Sequence, residues 1–338
     1  MGFHLSTRSP NASISAGSGR ARSPHRQLLH YLQSTCGVNA IVSSTLNRDI
    51  RRFYDASSAL WERTWGEHMH HGYYGRSGTR RVPRRQAQID LIEEFWNWGV
   101  KAGTPSASED RPQQILDVGC GIGGSTLYLA ETFNARATGI TLSPVQADRA
   151  SERAAAAGLD DRVRFEVADA LAMPFPDNSF DIVWSLESGE HMPDKAKFLR
   201  ECDRVLRPGG LFLMATWCHR PTASLAGALT DEERRHLNEI YRVYCLPYVI
   251  SLPDYEEIAR ALGWEGILTA DWSAAVAPFW DVVIASAFNL ETIQGLVSSG
   301  WQTVQAALSL GLMSKGYARG LIRFGLLAAR KSEYSRAL

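Results

Sequence analysis

The stretch ILDVGCGIGGS, residues 115–125, constrains the fold of this 338-residue chain more than any other part of it. The residues ILDV have the pattern of a buried strand, and a glycine-rich loop follows them. The next residues, GSTLYLAETF, have a helical pattern. Glycines let a ligand approach the backbone closely, and the first turn of a helix offers free N–H groups. The stretch therefore predicts a strand, a ligand-binding loop and a helix in direct succession.

The alternation of strand and helix continues through the next hundred residues. ARATGI, VRFEVAD, FDIVWSLE and LFLMATW have strand patterns, and the helical stretches SPVQADRASERAAAAG and DKAKFLRECDRVL lie among them, with RPGG as a predicted turn. Ser143 as cap, Pro144 in the first turn and Gly158 as stop bound the first of these helices. The series predicts an α/β fold with a doubly wound, mostly parallel sheet and a site at the strand carboxyl ends.

Composition and pattern divide the chain into five segments. Residues 1–48 contain five Arg, many Ser and no Asp or Glu, which indicates either an organelle transit peptide or a disordered tail. The other segments are a helical lid (49–101), a ligand-binding core (113–218), a helical cap with the final strands of the sheet (219–331) and a tail (332–338). In the cap, we expect a helix over 292–312 and a terminal strand in GLIRFGLLAARK.

The overall composition excludes several classes of protein. Acidic and basic residues balance at 36 each, so no basic surface for nucleic acid is expected. The five Cys include no C-x-x-C pair, which indicates reduced thiols rather than a disulfide framework or a zinc site. No apolar run reaches the roughly 20 residues that span a bilayer, so any membrane contact is expected to be peripheral.

The glycine loop alone leaves two kinds of enzyme open. Gly119, Gly121 and Gly124 match the G-x-G-x-x-G of nicotinamide-dependent oxidoreductases. Two details argue against that class: Asp117 stands two residues before the first glycine, and the second strand ends without the acid that holds a nicotinamide-cofactor ribose. Thr141, Ser143 and Gln146 follow that strand instead.

Longer motifs resemble a known family. LDVGCGIGG, VADALAMPFPDNSFDIVWSLESGEHMPDK and RVLRPGGLFLMATW resemble the successive motifs of class I S-adenosylmethionine-dependent methyltransferases. FYDASSALWERTWGEHMHHGYYG, WCHRP, VYCLPYVISLPDY and DWSAAVAPFWDVVIASAF extend the resemblance to the gamma-tocopherol C-methyltransferase family, from about Ile50 to Lys331. The match is specific because it includes segments on the substrate side. It implies a seven-stranded Rossmann-like methyltransferase sheet with a helical N-terminal lid and a C-terminal helical substrate cap.

The resemblance also implies an activity. A member of this family C-methylates the chromanol ring of gamma-tocopherol, and of delta-tocopherol, with S-adenosyl-L-methionine in vitamin E biosynthesis. The partner is then a lipophilic small molecule. The expected location is cytoplasmic with peripheral contact to photosynthetic membranes in a bacterium, or the plastid in a eukaryote. A related quinol C-methylation or amine N-methylation and a catalytically inactive methyltransferase fold stay open as alternatives, and the oligomeric state is not predicted.

The family's cofactor motifs map onto this sequence residue by residue. The glycine loop lies beside the methionine part, Thr141 and Gln146 stand at the ribose, Asp169 faces the adenine edge, and Leu186 borders the methyl-donor pocket. The full set expected at the cofactor is Asp117, Gly119, Cys120, Gly121, Gly123, Thr141, Ser143, Gln146, Asp169, Ala170, Leu186, Tyr73 and Tyr74.

The inferred reaction requires few catalytic groups from the protein. A sulfonium methyl needs no metal and no covalent nucleophile, only alignment and exclusion of water. A phenol has a pKa near 10, so a positioned base would activate the ring. His191, with Glu187 or Glu190, is the candidate base or orienting group; the alternative is a packed loop histidine. Trp272, Phe279 and Trp280 are candidates for the substrate pocket, or for plain core.

The stretch WGEHMHHGYYG, residues 65–75, could suggest a metal site because it contains three His and a Glu. The crowded spacing and the lack of a partner motif argue against metal binding. We expect a lid segment over the donor pocket, in which Tyr73 and Tyr74 shield the sulfonium, since aromatic faces attract cations. The letters GEHM return at 189–192, in an unlike context that argues against duplication.

Overall fold

The computed structural model describes residues 39–103, 113–287 and 311–333, and the contacts reported below lie within residues 46–333. In these ranges seven strands form one sheet in the order β3-β2-β1-β4-β5-β7-β6. The strands are β1 Gln114–Val118, β2 Arg136–Thr141, β3 Val163–Val167, β4 Phe180–Leu186, β5 Leu206–His219, β6 Glu265–Asp271 and β7 Ile322–Arg330.

Helices precede the sheet, connect its strands and follow it. They are α1 Asn39–Trp65, α2 Arg84–Gly99, α3 Gly124–Thr132, α4 Pro144–Ala156, α5 Lys195–Val205, α6 Asp231–Val243, α7 Leu252–Ala261, α8 Ser273–Val276, α9 Pro278–Ala287 and a last helix, α10, over 311–318. The caps explain the boundaries: Ser143 accepts from the backbone N–H of Gln146, and Thr230 forms a capping box with Glu233.

The topology places a site at one point of the sheet. β1 pairs in parallel with both β2 and β4, whereas β7 runs antiparallel between β5 and β6. The chain builds outward from β1 to β3 and then returns to the other side of β1 as β4. The loops after β1 and β4 therefore diverge, which opens a crevice at the carboxyl edge. This arrangement confirms the predicted doubly wound, mostly parallel fold.

The sheet is covered on both faces, as buried parallel strands require. All residues of β4 are buried, and all of β1 except its first. On one face Phe95 of α2 packs on Trp184, with ring centroids 4.6 Å apart. On the other face Phe198 of α5 and Trp264 belong to the same apolar cluster as Phe212. A rigid scaffold thus fixes the strand ends that form the site.

The structure differs from the sequence-based boundaries in two places. Helix α1 begins at Asn39, inside the segment assigned to the leader, and RPGG lies within β5, where Gly209 takes a φ of +73°. The leader up to residue 38 and most of the helix expected over 292–312 lie outside the described residues. Within the described ranges, no helix is both long and apolar enough to cross a membrane.

Candidate active site

A cavity lies at the carboxyl ends of β1 to β4, and we call it the strand-end cavity. Its empty volume is about 1010 Å³, part of it open to solvent. Eleven residues expected from the sequence line it: Asp117, Gly119, Cys120, Gly121, Thr141, Gln146, Asp169, Ala170, Leu186, Glu187 and His191. Four different strand ends therefore bring the predicted groups together.

The glycine loop passes close to neighbouring backbone and side chains. Gly119 has a φ of +83°, and a Cβ on it would lie 2.3 Å from the Cβ of Ser188. Ser188 is itself held, because its hydroxyl donates to the carbonyl of Val118 at 2.5 Å. Gly123 plays a different part, because it caps α3 in the left-handed conformation, packs against Phe165 and does not line the cavity.

Asp117 is the buried carboxyl of this cavity. Its side chain accepts from the hydroxyl of Thr126 at 2.7 Å, and the residue is 2% exposed. Burial raises the pKa of Asp117 to about 7, although the Thr126 bond favours the charged form. A carboxyl in that state gains its charge most readily when a cation enters the cavity.

Polar side chains at the ends of β2 and β3 form the far side of the cavity. Thr141 donates to the side-chain oxygen of Gln146 at 2.8 Å. Asp169 accepts from the backbone N–H of Leu171 at 2.9 Å and from the amide of Asn47 at 2.8 Å. Asn47 belongs to α1, so a helix of the lid already contacts the expected adenine side.

Helix α1 crosses the mouth of the cavity and is fixed to the far rim. The hydroxyl of Ser143 donates to Asp55 at 2.5 Å, and Arg149 donates to Glu62 at 2.6 Å. Ser143, expected at the cofactor, thus caps α4 and holds the lid, and it does not line the cavity.

Glu187 follows β4 and is clamped by the lid segment. With a φ of +55°, its carboxylate accepts from the backbone N–H of His71 at 2.6 Å and from His71 Nδ1 at 2.7 Å. Trp217 Nε1 donates to it at 3.1 Å. Burial alone would raise the pKa of Glu187, but attraction and hydrogen bonds from His71 outweigh it and hold that pKa below its ordinary value. Glu187 is therefore ionised at neutral pH.

Glu190 lies three residues after Glu187 and, unlike Glu187, has a raised pKa. It accepts from Thr216 at 2.7 Å, and burial together with the charge of Glu187 raises the pKa of Glu190 to about 8. Lys195 donates from Nζ to the carbonyls of Gly189 and Glu190, each at 2.9 Å. This buried lysine fixes the 3-10 turn Gly189–His191, which contains Glu190 and His191.

His191 is the third predicted acid–base residue. Its Nε2 lies 2.8 Å from the hydroxyl of Tyr54, and its Nδ1 is shielded from solvent with no hydrogen-bond partner among the described residues. Burial, with a smaller contribution from the charge of Lys195, lowers the pKa of His191 to about 3. The imidazole is therefore neutral at physiological pH.

A second cavity, which we call the aromatic cavity, adjoins the first. Its empty volume is about 500 Å³. It shares Tyr54, Met69, Glu187 and His191 with the strand-end cavity, and these four residues form the common wall. The rest of its lining is Phe53, Trp65, Glu190, Trp217 and Tyr244. Two chambers, one formed by the strand ends and one lined mainly by aromatic residues, thus meet at Glu187 and His191.

The lid segment contributes other residues than the expected tyrosines. Tyr73 packs on Trp272 with ring centroids 5.2 Å apart, and Tyr74 is buried in the same apolar cluster; neither lines a cavity. Instead Glu67, His68, Met69 and His70 line the strand-end cavity. The expectation that Tyr73 and Tyr74 shield a bound sulfonium has no support in this placement, because the chain turns away from the cavity after His70.

Two of the three aromatic residues expected at the substrate lie behind the aromatic cavity. Phe279 and Trp280 are fully buried and contact Trp65 edge-on, at 5.6 and 6.3 Å between ring centroids, so they support the wall of the cavity. The third, Trp272, packs on Tyr73 instead. None of the three lines either cavity.

Sequence reasoning missed the aromatic lining, although signals for it exist. Tyr54 and Trp65 are eleven residues apart, about three helical turns, so they lie on one face of α1. Trp217 stands near the carboxyl end of β5, where site residues are expected. Within the described ranges, no group of three or more His, Cys, Asp or Glu side chains is arranged to hold a metal ion.

Known proteins are similar to this chain over most of its length. The methyltransferase domain family matches residues 116–214. "Probable tocopherol O-methyltransferase, chloroplastic" of Oryza sativa subsp. japonica is 47% identical over 289 residues, covering 85% of this chain and 79% of that protein. "Tocopherol O-methyltransferase, chloroplastic" of Arabidopsis thaliana is 44% identical over 300 residues, covering 87% of this chain and 85% of that protein.

A solved structure shares the fold. The crystal structure of a candidate sarcosine dimethylglycine methyltransferase from Galdieria sulphuraria has a TM-score of 0.69 and 25% sequence identity to this chain. The match covers 82% of this chain and 99% of that one.

Proposed function

The chain belongs to the tocopherol methyltransferase family, and from that premise we propose that it methylates a ring carbon of gamma-tocopherol to give alpha-tocopherol. It is an S-adenosylmethionine-dependent methyltransferase of tocopherol, and hence vitamin E, biosynthesis. Delta-tocopherol, which gives beta-tocopherol, is the second acceptor that we propose. The observation that carries the proposal is the common wall, where the strand-end cavity and the aromatic cavity meet at Glu187 and His191.

The residues of the strand-end cavity fit the cofactor. Gly119 leaves the loop free of a Cβ, the N-terminus of α3 offers backbone N–H groups, and Asp117 is a buried carboxyl suited to an ammonium. When bound, S-adenosylmethionine supplies an electrophilic methyl group on a sulfonium. We propose Thr141, Gln146 and Asp169 for its ribose and adenine, with Cys120, Gly121, Ala170 and Leu186 as the remaining contacts.

Cofactor affinity is expected to rise about tenfold between pH 6 and pH 8. Burial holds the pKa of Asp117 at about 7, and a cationic ligand favours the ionised form, so the site binds best once the proton has left. Isothermal titration with S-adenosylmethionine should show proton release that disappears in Asp117→Asn, which binds weakly at every pH. Asp148→Asn, at an exposed position of α4, should keep the pH dependence.

The same shift has a consequence for stability without ligand. The folded-state pKa of Asp117 lies above its ordinary value of 3.8, so the unliganded protein loses stability as pH rises from about 4 to 7. Asp117→Asn should therefore unfold at a higher temperature than the wild type at pH 8. An unchanged unfolding temperature together with pH-independent binding in the wild type would contradict this role of Asp117.

The aromatic cavity fits the acceptor ring. Aromatic side chains from α1, β5 and the end of α6 surround a space suited to a flat chromanol, and two carboxyl groups and His191 offer polar contacts for the phenol. We propose that the phenol faces the common wall, so that the neighbouring ring carbon meets the methyl group. The apolar tail then leads away from the wall, and peripheral contact with a lipid membrane would supply the substrate.

The ionised carboxylate of Glu187 suits the chemistry of a ring carbon. A carbon that accepts a methyl group must afterwards release its ring proton to restore the aromatic ring. Glu187 can accept a hydrogen bond from the phenol during methyl transfer and then the ring proton. The pKa of Glu190 near 8 leaves that residue mostly protonated at neutral pH, so we assign it to holding the wall through Thr216.

The site of methylation can be tested directly. We expect incubation with methyl-¹³C-labelled S-adenosylmethionine and gamma-tocopherol to give a product with an aryl-methyl carbon resonance and a free phenol. A methoxy carbon, as the relatives' name O-methyltransferase would imply if taken literally, would overturn C-methylation. The panel of acceptors also includes delta-tocopherol, methylphytylbenzoquinol and an amine. Label in the quinol alone or in the amine alone would overturn the proposed identity of the substrate.

The names of the relatives support a proposal for the cellular location of this protein. Both plant proteins are named chloroplastic. We propose a plastid location if the chain comes from a eukaryote, and the cytoplasmic side of photosynthetic membranes if it comes from a bacterium.

A further inference from the structure

The contact of Tyr54 with His191 determines where the imidazole carries its proton. Among the described residues, His191 Nε2 is the hydrogen-bond partner of the Tyr54 hydroxyl, at 2.8 Å. A hydroxyl that accepted from an Nε2–H group would leave its own hydrogen without an acceptor among the described residues, which costs free energy. Tyr54 therefore donates, and Nε2 is the accepting nitrogen.

A neutral imidazole with an accepting Nε2 carries its hydrogen on Nδ1. That Nδ1 atom is shielded from solvent and has no hydrogen-bond partner among the described residues, while His191 lines both cavities. An unused donor at the common wall calls for an explanation, because buried polar groups are normally satisfied. The acceptor molecule of the reaction is the group that would meet it.

We propose that Tyr54 is a positioning residue that fixes His191 as the Nδ1–H tautomer, so that His191 donates a hydrogen bond to the phenolic oxygen of the acceptor. His191 is then a stabilising donor and not the base suggested by the sequence; the base is Glu187. This inference rests on the proposed function for the identity of the acceptor. As the phenolic proton shifts toward Glu187 through their hydrogen bond, the phenolic oxygen gains negative charge that activates the ring carbon, and a donor fixed in advance stabilises that charge.

The tautomer can be measured without any acceptor, so this test stands even if the proposed substrate is wrong. In ¹⁵N-histidine-labelled protein bound to S-adenosylhomocysteine, His191 should show the Nδ1–H tautomer, identified by its loss in His191→Asn. In Tyr54→Phe the signal should shift toward the Nε2–H form. An Nε2–H tautomer in the wild type would overturn the proposal.

Turnover of whichever acceptor is methylated gives the second test. Asparagine places an amide N–H near the position of Nδ1, and glutamine places one near Nε2. We expect His191→Asn to stay within about tenfold of the wild-type kcat and His191→Gln to lose about a hundredfold, the usual range for a lost stabilising donor. Equal losses in both variants, with unfolding temperatures unchanged, would mean that His191 is the base.

A double variant separates positioning from packing. Tyr54→Phe should lower kcat about tenfold in the wild type but have little effect in the His191→Asn background, because an amide has no tautomers to select. Tyr128→Phe is the matched control, since it removes a hydroxyl that donates to Glu93 at 2.6 Å outside both cavities. A loss from Tyr54→Phe of the same size in both backgrounds would overturn the positioning role.

Discussion

Replacing Gly119 with alanine is expected to weaken cofactor binding by more than a hundredfold and to destabilise the fold by about 2–5 kcal/mol, the sum of overpacking and left-handed strain. The new Cβ would lie 2.3 Å from the Cβ of Ser188. Ser188 cannot move away cheaply, because it bonds to the carbonyl of Val118 and to Ser185. The loop must shift instead, and it is the loop that we propose to bind the cofactor.

Gly158→Ala is the matched control for this substitution. Gly158 also has a positive φ, +66°, but a Cβ there would meet nothing within 4 Å. Its cost should be the backbone strain alone, about 1–2 kcal/mol, with cofactor affinity unchanged. Thermal unfolding and titration with S-adenosylhomocysteine measure both effects. If the two variants bound the cofactor equally well, close approach at Gly119 would not be what the site requires.

Replacing Glu187 with glutamine is expected to lower kcat by about two to three orders of magnitude, the range seen when a general base is removed. The carboxylate accepts three hydrogen bonds, two from His71 and one from Trp217. An amide oxygen cannot replace both carboxylate oxygens, and the amide N–H₂ would face a donor. The buried donors of His71 and Trp217 that lose their acceptor should also lower the free energy of unfolding by about 1–3 kcal/mol.

Glu256→Gln provides the control for this charge removal. Glu256 pairs with Arg260 on the surface of α7, outside both cavities, where an ion pair contributes little, so its variant should keep kcat within about twofold. Single-turnover rates with saturating cofactor separate chemistry from binding. Full activity of Glu187→Gln at saturating substrate would show that the carboxylate only shapes the wall.

The sequence predicted the parts of the site that are encoded locally. The glycine loop, the cap of α4 and the strand runs each depend on neighbours within a few residues, and all of them are found where the pattern placed them. Parallel topology then carries the strand ends to one edge. For this reason Asp117, Thr141, Asp169 and Glu187 line one cavity although 70 residues separate the first from the last.

The residues that the structure places away from the cavities, such as Tyr73, depend on contacts between distant segments. A run of aromatic and histidine residues does not reveal which side chain faces the cavity, since that is decided by where the segment crosses the sheet. Here the crossing is fixed by Gln88, which donates to the carbonyls of His68 and His70 and so turns Tyr73 inward to the core. Nothing in residues 65–75 alone encodes that bond.

The return of GEHM at 189–192 has a structural counterpart, because residues of both copies line the strand-end cavity. The two stretches do meet, yet not through their matching letters. His71, just after the first copy, clamps Glu187, just before the second. Tyr54 reaches the histidine inside the second copy.

The clamp between His71 and Glu187 spans 116 residues of sequence, and the Tyr54–His191 bond spans 137. Closing a loop of that length costs about 4 kcal/mol of chain entropy before either contact contributes anything. We expect contacts of such high sequence separation to form after the strands between them have paired. The common wall would then exist only in the completed fold, and a partly folded chain could form the glycine loop without the groups that face it across the cavity.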